Sequence, residues 1–127
     1  MSKYVLDASA VLALLNDEPG KERVEAVLSE SIISAVNYCE VLSKLIEIGM
    51  TEKEASNSVE LLNLGVIDFD RRMGRLAAAL RKRTKALGLS LGDRACLSLG
   101  QVRKATVVTA ERVWPKLRIG VKTQVIR

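Results

Sequence analysis

The sequence predicts an α/β fold in which a central, mostly parallel sheet of four to five strands lies between two layers of helices. Short runs rich in β-branched residues alternate with segments of helical periodicity along the 127 residues. Strands separated by helix-length segments form βαβ crossovers, which make the strands parallel and cover both faces of the sheet. With 48% hydrophobic residues, the chain can build one core, and we expect a single domain over residues 1–127.

Five strand-like runs and five helical segments make up this pattern. The strand-like runs are KYVL at 3–6, SIIS at 31–34, GVIDF at 65–69, ATVV at 105–108 and VKTQVI at 121–126. Helical periodicity begins near Ser9 and returns over about 36–48, 52–63, 71–87 and 91–102. DEPG at 17–20 is typical of a turn, and ERVW at 111–114 predicts one short helical turn.

The composition restricts the chemistry that the protein can perform. The chain has no histidine, which removes the commonest general base and the Ser/His and Cys/His nucleophile pairs. Catalysis would therefore use carboxylates, Lys, Tyr or a metal held by oxygen. A net charge of +5 and a pI near 9.5 favour a polyanionic partner such as nucleic acid.

Cysteine usage and hydropathy suggest a cytoplasmic protein. Cys39 and Cys96 are far apart in sequence and fit no metal or redox motif, so we expect two reduced, buried thiols. The apolar stretch at 4–15 is interrupted by Asp7 and is shorter than the roughly 20 residues that span a bilayer. We therefore expect neither a signal peptide nor a membrane span.

Four acids lie near the ends of predicted strands. Asp7 follows KYVL directly, Glu40 lies about two helical turns after SIIS, and Glu111 lies shortly after ATVV. Asp93 begins the helix that leads into ATVV, and an antiparallel helix starts at the edge of the sheet where its strand ends. Ligands of open parallel sheets bind beyond the carboxyl ends of the strands, so these acids are predicted to converge on one edge.

Each acid also has a structural explanation that leaves function open. Asp7 and Glu111 would be favourable at helix entrances, and Asp93 completes a capping box in SLGD. Glu40 fits a solvated helix stripe with an i,i+4 pair to Lys44. The shared placement near strand ends favours the functional interpretation.

A shared cation explains why these carboxylates would cluster. Ionised carboxylates repel one another unless a positive charge lies close by. Oxygen ligands of this kind select Mg²⁺ or Mn²⁺. Such an ion activates water and offsets charge on a phosphodiester, so the sequence predicts hydrolysis that needs no histidine.

Four motifs appear in register: VLDAS at 5–9, SAVNYCEV at 34–41, LSLGDRACLSLG at 89–100 and VVTAERVW at 107–114. In their order and spacing the chain resembles PIN-domain ribonucleases, and most of all the VapC-type toxins of bacterial and archaeal toxin–antitoxin pairs. The resemblance covers nearly the whole chain and implies a PIN-like α/β/α domain. It further implies a Mg²⁺- or Mn²⁺-dependent endoribonuclease that acts on RNA, forms a homodimer and is inhibited by a cognate antitoxin.

The resemblance also implies roles for individual residues. Asp7, Asp93 and Glu111 match metal ligands, and Glu40 matches an acid that binds through water or orients the attacking water. The fourth acidic position is more often Asp in the family, so Glu111 is one methylene longer. Three further polar residues match positions beside the catalytic centre: Ser9, Asn37 and Thr109.

The basic run RKRTK at 81–85 is a candidate for contact with RNA. Its cations are Arg81, Lys82, Arg83 and Lys85, which would bind phosphate groups in a salt-dependent manner. A solvated outer face of a helix explains the same pattern. The sequence leaves both interpretations open.

Two other functions are compatible with this fold class. A phosphoacceptor receiver domain has a similar length and binds Mg²⁺ through acids, but it predicts an acidic pair near the first strand, whereas Asp7 has no acidic neighbour. A non-catalytic module that binds RNA or a protein partner would have the same fold with vestigial acids. The presence of all four acids argues against that second alternative.

Overall fold

The computed structural model describes residues 2–127, and within them one five-stranded sheet is combined with seven α-helices. The strands are β1 (Tyr4–Leu6), β2 (Ser31–Ser34), β3 (Gly65–Ile67), β4 (Thr106–Thr109) and β5 (Thr123–Val125). The helices are α1 (Ala8–Leu15), α2 (Lys21–Val27), α3 (Ala35–Glu47), α4 (Glu52–Glu60), α5 (Arg71–Ala79), α6 (Arg81–Thr84) and α7 (Leu91–Arg103). Short 3₁₀ turns occupy Leu28–Glu30, Lys85–Leu87 and Trp114–Lys116.

The sheet has the strand order β3-β2-β1-β4-β5, and every pair of neighbouring strands is parallel. Tyr4 at the start of β1 is in register with Ser31 on one side and Thr106 on the other. The predicted α/β fold is therefore confirmed. Because β1 and β4 are adjacent and parallel, their carboxyl ends meet, and this brings Asp7 beside Thr109.

Helices cover both faces of the sheet, as the βαβ pattern predicts. Leu6 on β1 packs into a buried cluster with α1, α2, α3 and α4. Its neighbour Val5 points the other way and packs with α5, α7 and Trp114. This alternation follows from the two-residue period of a strand, and it makes three layers with β1 in the middle.

The predicted helix over 71–87 is wrong as a single element. The structure divides it into α5, α6 and the turn Lys85–Leu87. The regular hydrogen-bond pattern is interrupted at Leu80, whose N–H donates to the carbonyl oxygen of Ala77, three residues earlier, at 3.2 Å. The fully buried Thr84 keeps its regular N–H bond to the Leu80 carbonyl oxygen, and its hydroxyl donates to the same oxygen at 2.8 Å. β3 is also shorter than GVIDF because Asp70 accepts a bond from the Met73 N–H and caps α5.

Two features were not predicted from the sequence. Helix α2 follows the Pro19-Gly20 turn and buries only Val24 and Val27, so its periodic signal is weak. Cys39 is exposed, whereas Cys96 is buried as expected, and both are free thiols. Among residues 2–127, no helix has the length and apolar character needed to cross a bilayer.

Candidate active site

Asp7 lies at the carboxyl end of β1 and is the N-cap of α1. Its Oδ1 accepts hydrogen bonds from the Ala10 N–H at 2.8 Å and the Ser9 hydroxyl at 2.7 Å. Its Oδ2 accepts a bond from the Thr109 hydroxyl at 2.6 Å, and only 4% of the residue is exposed. Asp7 is therefore both the cap predicted as an alternative and a carboxylate fixed at the edge of the sheet.

Burial dominates the ionisation of Asp7. Desolvation raises the pKa of its carboxyl from 3.8 to about 6, against the lowering effect of the hydrogen bonds from Thr109, Ser9 and Ala10. The negative charge of Asp93 contributes a smaller rise in the pKa. The sequence predicts that mutual repulsion between the acids disfavours their ionised forms, whereas in the structure desolvation has the larger effect on the pKa of Asp7.

Two hydroxyl groups connect Asp7 to the turn that carries Glu111. The Ser9 oxygen accepts a bond from the Ala110 N–H at 2.9 Å, and the Thr109 oxygen accepts one from the Glu111 N–H at 2.9 Å. Each hydroxyl group thus accepts a hydrogen bond from a backbone N–H of the turn and donates one to Asp7. This network fixes the backbone of the turn, while the Glu111 side chain remains exposed.

Glu40 is held on α3 by Asn37, one turn earlier. The Asn37 side-chain amide donates to Glu40 Oε1 at 2.8 Å and to the Gly92 carbonyl oxygen at 3.0 Å. Asn37 is 1% exposed, so it does not belong to the solvated stripe that the sequence pattern allows. The expected pair between Glu40 and Lys44 is also replaced, because Lys44 lies 3.7 Å from Glu47.

Gly92 contributes to the geometry of the candidate site and was not singled out from the sequence. A Cβ atom at this position in the first turn of α7 would overlap the Glu40 carboxylate. Glycine thus lets Glu40 approach the helix that carries Asp93. The available signal was a glycine inside a predicted helix. Glycine destabilises a helix by about 1 kcal/mol relative to alanine, so its presence there indicates a place where another group approaches the backbone closely.

Asp93 forms the capping box that SLGD predicts. The Ser90 hydroxyl accepts a bond from the Asp93 N–H at 3.2 Å, and Asp93 Oδ2 accepts one from the Ser90 N–H at 2.9 Å. Asp93 is half-buried. The structural explanation of this residue is therefore correct as a description of its contacts.

Asp7, Glu40 and Asp93 all lie close enough to the buried Cys96 to affect its ionisation. Desolvation raises the pKa of the Cys96 thiol, and the charges of these three acids raise it further. Among residues 2–127, no three acidic, cysteine or histidine side chains lie close enough to form a ready-made metal-ligand set. The acids are nevertheless close enough to act on one another through charge, because Asp93 raises the pKa of Asp7.

A family model described as the PIN domain matches residues 4–119 of this chain. The chain belongs to the PIN domain family. A comparison with curated proteins found no match. The family match excludes the receiver-domain alternative, in agreement with the missing acidic pair beside Asp7.

Solved structures share the fold of this PIN domain. DNA-bound VapBC from Salmonella typhimurium matches with a TM-score of 0.78 and 20% identity over 100% of both chains. VapBC2 from Rickettsia felis, bound to a DNA fragment from its promoter, has a TM-score of 0.74 and 16% identity over 95% of this chain and 96% of that one. VapC20 from Mycobacterium tuberculosis, a sarcin-ricin loop cleaving toxin, has a TM-score of 0.72 and 14% identity over 94% of this chain and 98% of that one.

The residues at this edge fit a hydrated divalent cation. The Asn37 amide is oriented by its two acceptors, which leaves its buried Oδ1 without a hydrogen-bond partner in the described part of the chain. An unpaired buried oxygen needs a donor such as an ordered water. The acids whose charges reach Cys96 at this edge are Asp7, Glu40 and Asp93, and carboxylates are the ligands that Mg²⁺ and Mn²⁺ prefer.

A groove opens beside Glu40 and encloses about 570 Å³. Its walls combine apolar side chains with the start of α7 and are formed by Ala35, Val36, Cys39, Glu40, Phe69, Ser90, Leu91 and Gly92. The predicted RNA contacts Arg81, Lys82, Arg83 and Lys85 are all exposed on α6 and the following turn. Their contact with RNA stays a prediction.

Proposed function

We propose that this PIN domain is a divalent-metal-dependent endoribonuclease that hydrolyses RNA phosphodiester bonds with an activated water, and that it is the toxin of a cytoplasmic toxin–antitoxin pair. The observation that carries the proposal is the environment of Asp7. This buried carboxylate is held by neutral hydroxyl and N–H donors, and it forms no ion pair within residues 2–127. A buried charge of this kind calls for an external cation.

Asp7 and Asp93 are the proposed primary metal ligands, with Glu111 as a third. Asp93 uses Oδ2 for the capping box, so Oδ1 is the oxygen that would face the ion. Glu111 is anchored through its backbone N–H by Thr109, whereas its exposed side chain is free to rotate toward the site. Its extra methylene lengthens that reach relative to Asp.

Glu40 is the proposed residue that orients the attacking water and accepts its proton. Asn37 donates to Oε1 and leaves Oε2 available as the acceptor. Asn37 is a positioning residue, because it fixes the Glu40 carboxylate against Gly92. The carboxylate also lies near the first turn of α7, whose backbone N–H groups favour negative charge.

The ion, when bound, supplies a lowered pKa for water and charge stabilisation on the phosphodiester. The chain's own contribution is to hold oxygen ligands in a fixed frame. Ser9 and Thr109 orient Asp7, while the two helix caps fix Asp7 and Asp93 at the same edge. Such preorganised charge is the main way in which protein groups accelerate phosphoryl-type reactions.

An antitoxin and a second copy of the chain are the proposed protein partners. The resemblance to VapC-type toxins supports both, and VapBC proteins from Rickettsia felis and Salmonella typhimurium share the fold. The groove beside Glu40 is the proposed seat of an inhibitory antitoxin segment, since it adjoins the acids and presents the half-exposed Leu91. An occupant of this groove would block access to Glu40.

Cleavage of purified RNA tests the activity. We expect cleavage in Mg²⁺ or Mn²⁺ that stops with excess EDTA and returns when the metal is restored. Glu40→Gln should remove cleavage while the thermal melting temperature stays unchanged, and Glu47→Gln on the same helix is the matched control that should cleave normally. Cleavage that persists in EDTA, or that survives in Glu40→Gln, would refute the proposed chemistry.

The alternative is a non-catalytic module that binds RNA or protein on a PIN fold. It is favoured by the lack of a ready-made ligand set among residues 2–127. Its distinguishing result is RNA binding of equal strength in EDTA and Mg²⁺ with no cleavage in either.

A further inference from the structure

A basic cleft lies at the edge of the sheet where the strands begin, opposite to the acids. It encloses about 620 Å³ between the end of α7 and the starts of β1, β4 and β5. Four of its lining residues are cations, and the lining includes no carboxylate: the cations are Lys3, Arg103, Lys104 and Lys122. Positive charge is thus concentrated at the edge farthest from Asp7.

Local structure explains only part of this arrangement. Lys3 lies 3.1 Å from Glu30, but both side chains are exposed, and such pairs contribute little to stability. Arg103 and Lys104 lie at the C-terminal end of α7, where positive charge is favourable. Lys122 comes from a different element and forms no ion pair among the described residues.

Lys104 occupies a backbone position that disfavours its own side chain. Its φ angle of 51° is left-handed, and this C-terminal position of a helix is where glycine is usually found. A lysine here carries a conformational cost that glycine would not. A charged side chain at a backbone position that favours glycine is a reason to look for a binding role.

One short strand connects the basic cleft with the acidic site. β4 runs from Thr106, which lines the cleft, to Thr109, which donates to Asp7. These three steps span about 10 Å at 3.3 Å per residue. β5 runs beside β4 in the same direction and is the last strand of the described sheet, so its outer edge is free of strand pairing.

The far end of β5 also carries cations. Arg23 donates to the Val125 carbonyl oxygen at 3.2 Å, and Arg112, next to Glu111, donates to the Arg127 carbonyl oxygen at 3.0 Å. The Glu18 carboxylate also lies at this end and pairs with Arg127 at 3.1 Å, so Arg23 and Arg112 are the cations there without an ion pair among the described residues. A polyanion lying along this edge would meet these two cations at the end that is nearer the acids.

We propose that the basic cleft binds phosphate groups of the same RNA strand that is cleaved at the acids, with the strand passing along the outer edge of β5. This inference rests on the proposed function and extends it to the path that the RNA strand takes across the protein surface. The cleft contains no aromatic side chain on which a base could stack. Its contacts with phosphate are therefore independent of base sequence: they contribute to the affinity for RNA and do not select the base at which the RNA is cleaved.

Binding of labelled single-stranded RNA in EDTA tests the cleft without cleavage. The test variant is Lys104→Gly/Lys122→Gln, and the matched control Lys44→Gln/Lys53→Gln removes the same charge from α3 and α4. For an RNA of about 20 nucleotides we expect the test variant to raise the Kd roughly tenfold near 0.1 M salt. The slope of log K against log salt should fall by about 1.4, which is two phosphate contacts at about 0.7 each.

Two further measurements decide the interpretation. Thermal melting should show Lys104→Gly to be at least as stable as the wild type, since glycine relieves the positive φ. Duplex DNA should compete less well than single-stranded RNA.

Several results would overturn the proposal. Equal weakening by the test and control variants would mean that only net charge matters, and an unchanged Kd for the long RNA would mean that the cleft does not bind it. Stronger competition by duplex DNA would assign the cleft to a different partner. Because binding is measured in EDTA, failure of the nuclease proposal is separate: it appears as intact binding without metal-dependent cleavage.

Discussion

Asp7→Asn separates the structural and the catalytic contributions of the buried acid. Burial raises the pKa of Asp7 from 3.8 to about 6, so the folded protein holds this proton more tightly than the unfolded chain does. Stability of the metal-free protein should consequently fall as the pH rises from about 4 to about 6. The difference between the two pKa values corresponds to about 3 kcal/mol, which stays lost at neutral pH.

Asparagine is neutral at every pH and removes this dependence. We expect Asp7→Asn in EDTA to be about 1 to 2 kcal/mol more stable than the wild type at pH 7.5 and nearly equal to it at pH 4. The gain stays below the full value because the new amide would donate toward the Thr109 hydroxyl, which already donates to Asp7. For a domain of this size the shift in melting temperature is roughly 4 °C per kcal/mol.

Urea unfolding, followed by circular dichroism over this pH range, measures the change in stability. An RNA cleavage assay measures the loss of activity. Asp70→Asn is the matched control, because Asp70 is also a helix N-cap but is exposed. It should show no comparable gain in stability at neutral pH, and it should cleave normally, whereas Asp7→Asn should be inactive in saturating Mg²⁺. If Asp7→Asn is less stable than the wild type in EDTA at pH 7.5, desolvation of the Asp7 carboxylate does not control stability at this position and the reasoning fails.

The other predictions concern α7. Gly92→Ala should reduce cleavage at least tenfold by displacing Glu40, whereas Gly74→Ala on α5, where a Cβ meets nothing within 4 Å, should cleave normally and gain about 0.5 to 1 kcal/mol in stability. Asp93→Asn should melt within a few degrees of the wild type yet lose about 100-fold in cleavage, while Ser90→Ala should lower stability by about 1 kcal/mol and spare cleavage. If Asp93→Asn and Ser90→Ala both show small losses of stability and near-normal cleavage, Asp93 serves only as a helix cap.

The sequence was sufficient for the fold because the relevant signals are local and periodic. Strand runs separated by helix-length segments predict a parallel sheet, and a parallel sheet brings the carboxyl ends of its strands to one edge. That Asp7 lies beside Thr109 follows from the strand order, in which β1 and β4 are neighbours, and the local pattern does not predict this order. The break at Leu80 was not predictable in this way, because helical periodicity continues through residues 71–87 and does not register the change to an i→i−3 bond at Leu80.

The candidate site was only partly predictable for a similar reason. The acids could be placed near strand ends, but the partners that orient them come from elsewhere in the chain. Asn37 bonds Glu40 on its own helix and also bonds Gly92, which is 55 positions away in sequence. The sequence of α3 alone cannot predict a contact with Gly92 on α7. For this reason the sequence of α3 is also compatible with a solvated helix face that includes Asn37.

Helix capping and metal binding are compatible at Asp7 and Asp93 because they make different demands on a carboxylate. A cap needs one acceptor oxygen aimed at backbone N–H groups, and Oδ1 of Asp7 and Oδ2 of Asp93 serve in this way. A divalent ion needs negative charge and a further oxygen lone pair. The caps therefore fix both carboxylates at the edge of the sheet before any ion arrives, and an amide at either position keeps the acceptor but removes the charge. The capping role and the proposed metal-binding role of these two residues therefore differ in whether they need the negative charge, which is why the Asp→Asn substitutions distinguish them more clearly than alanine would.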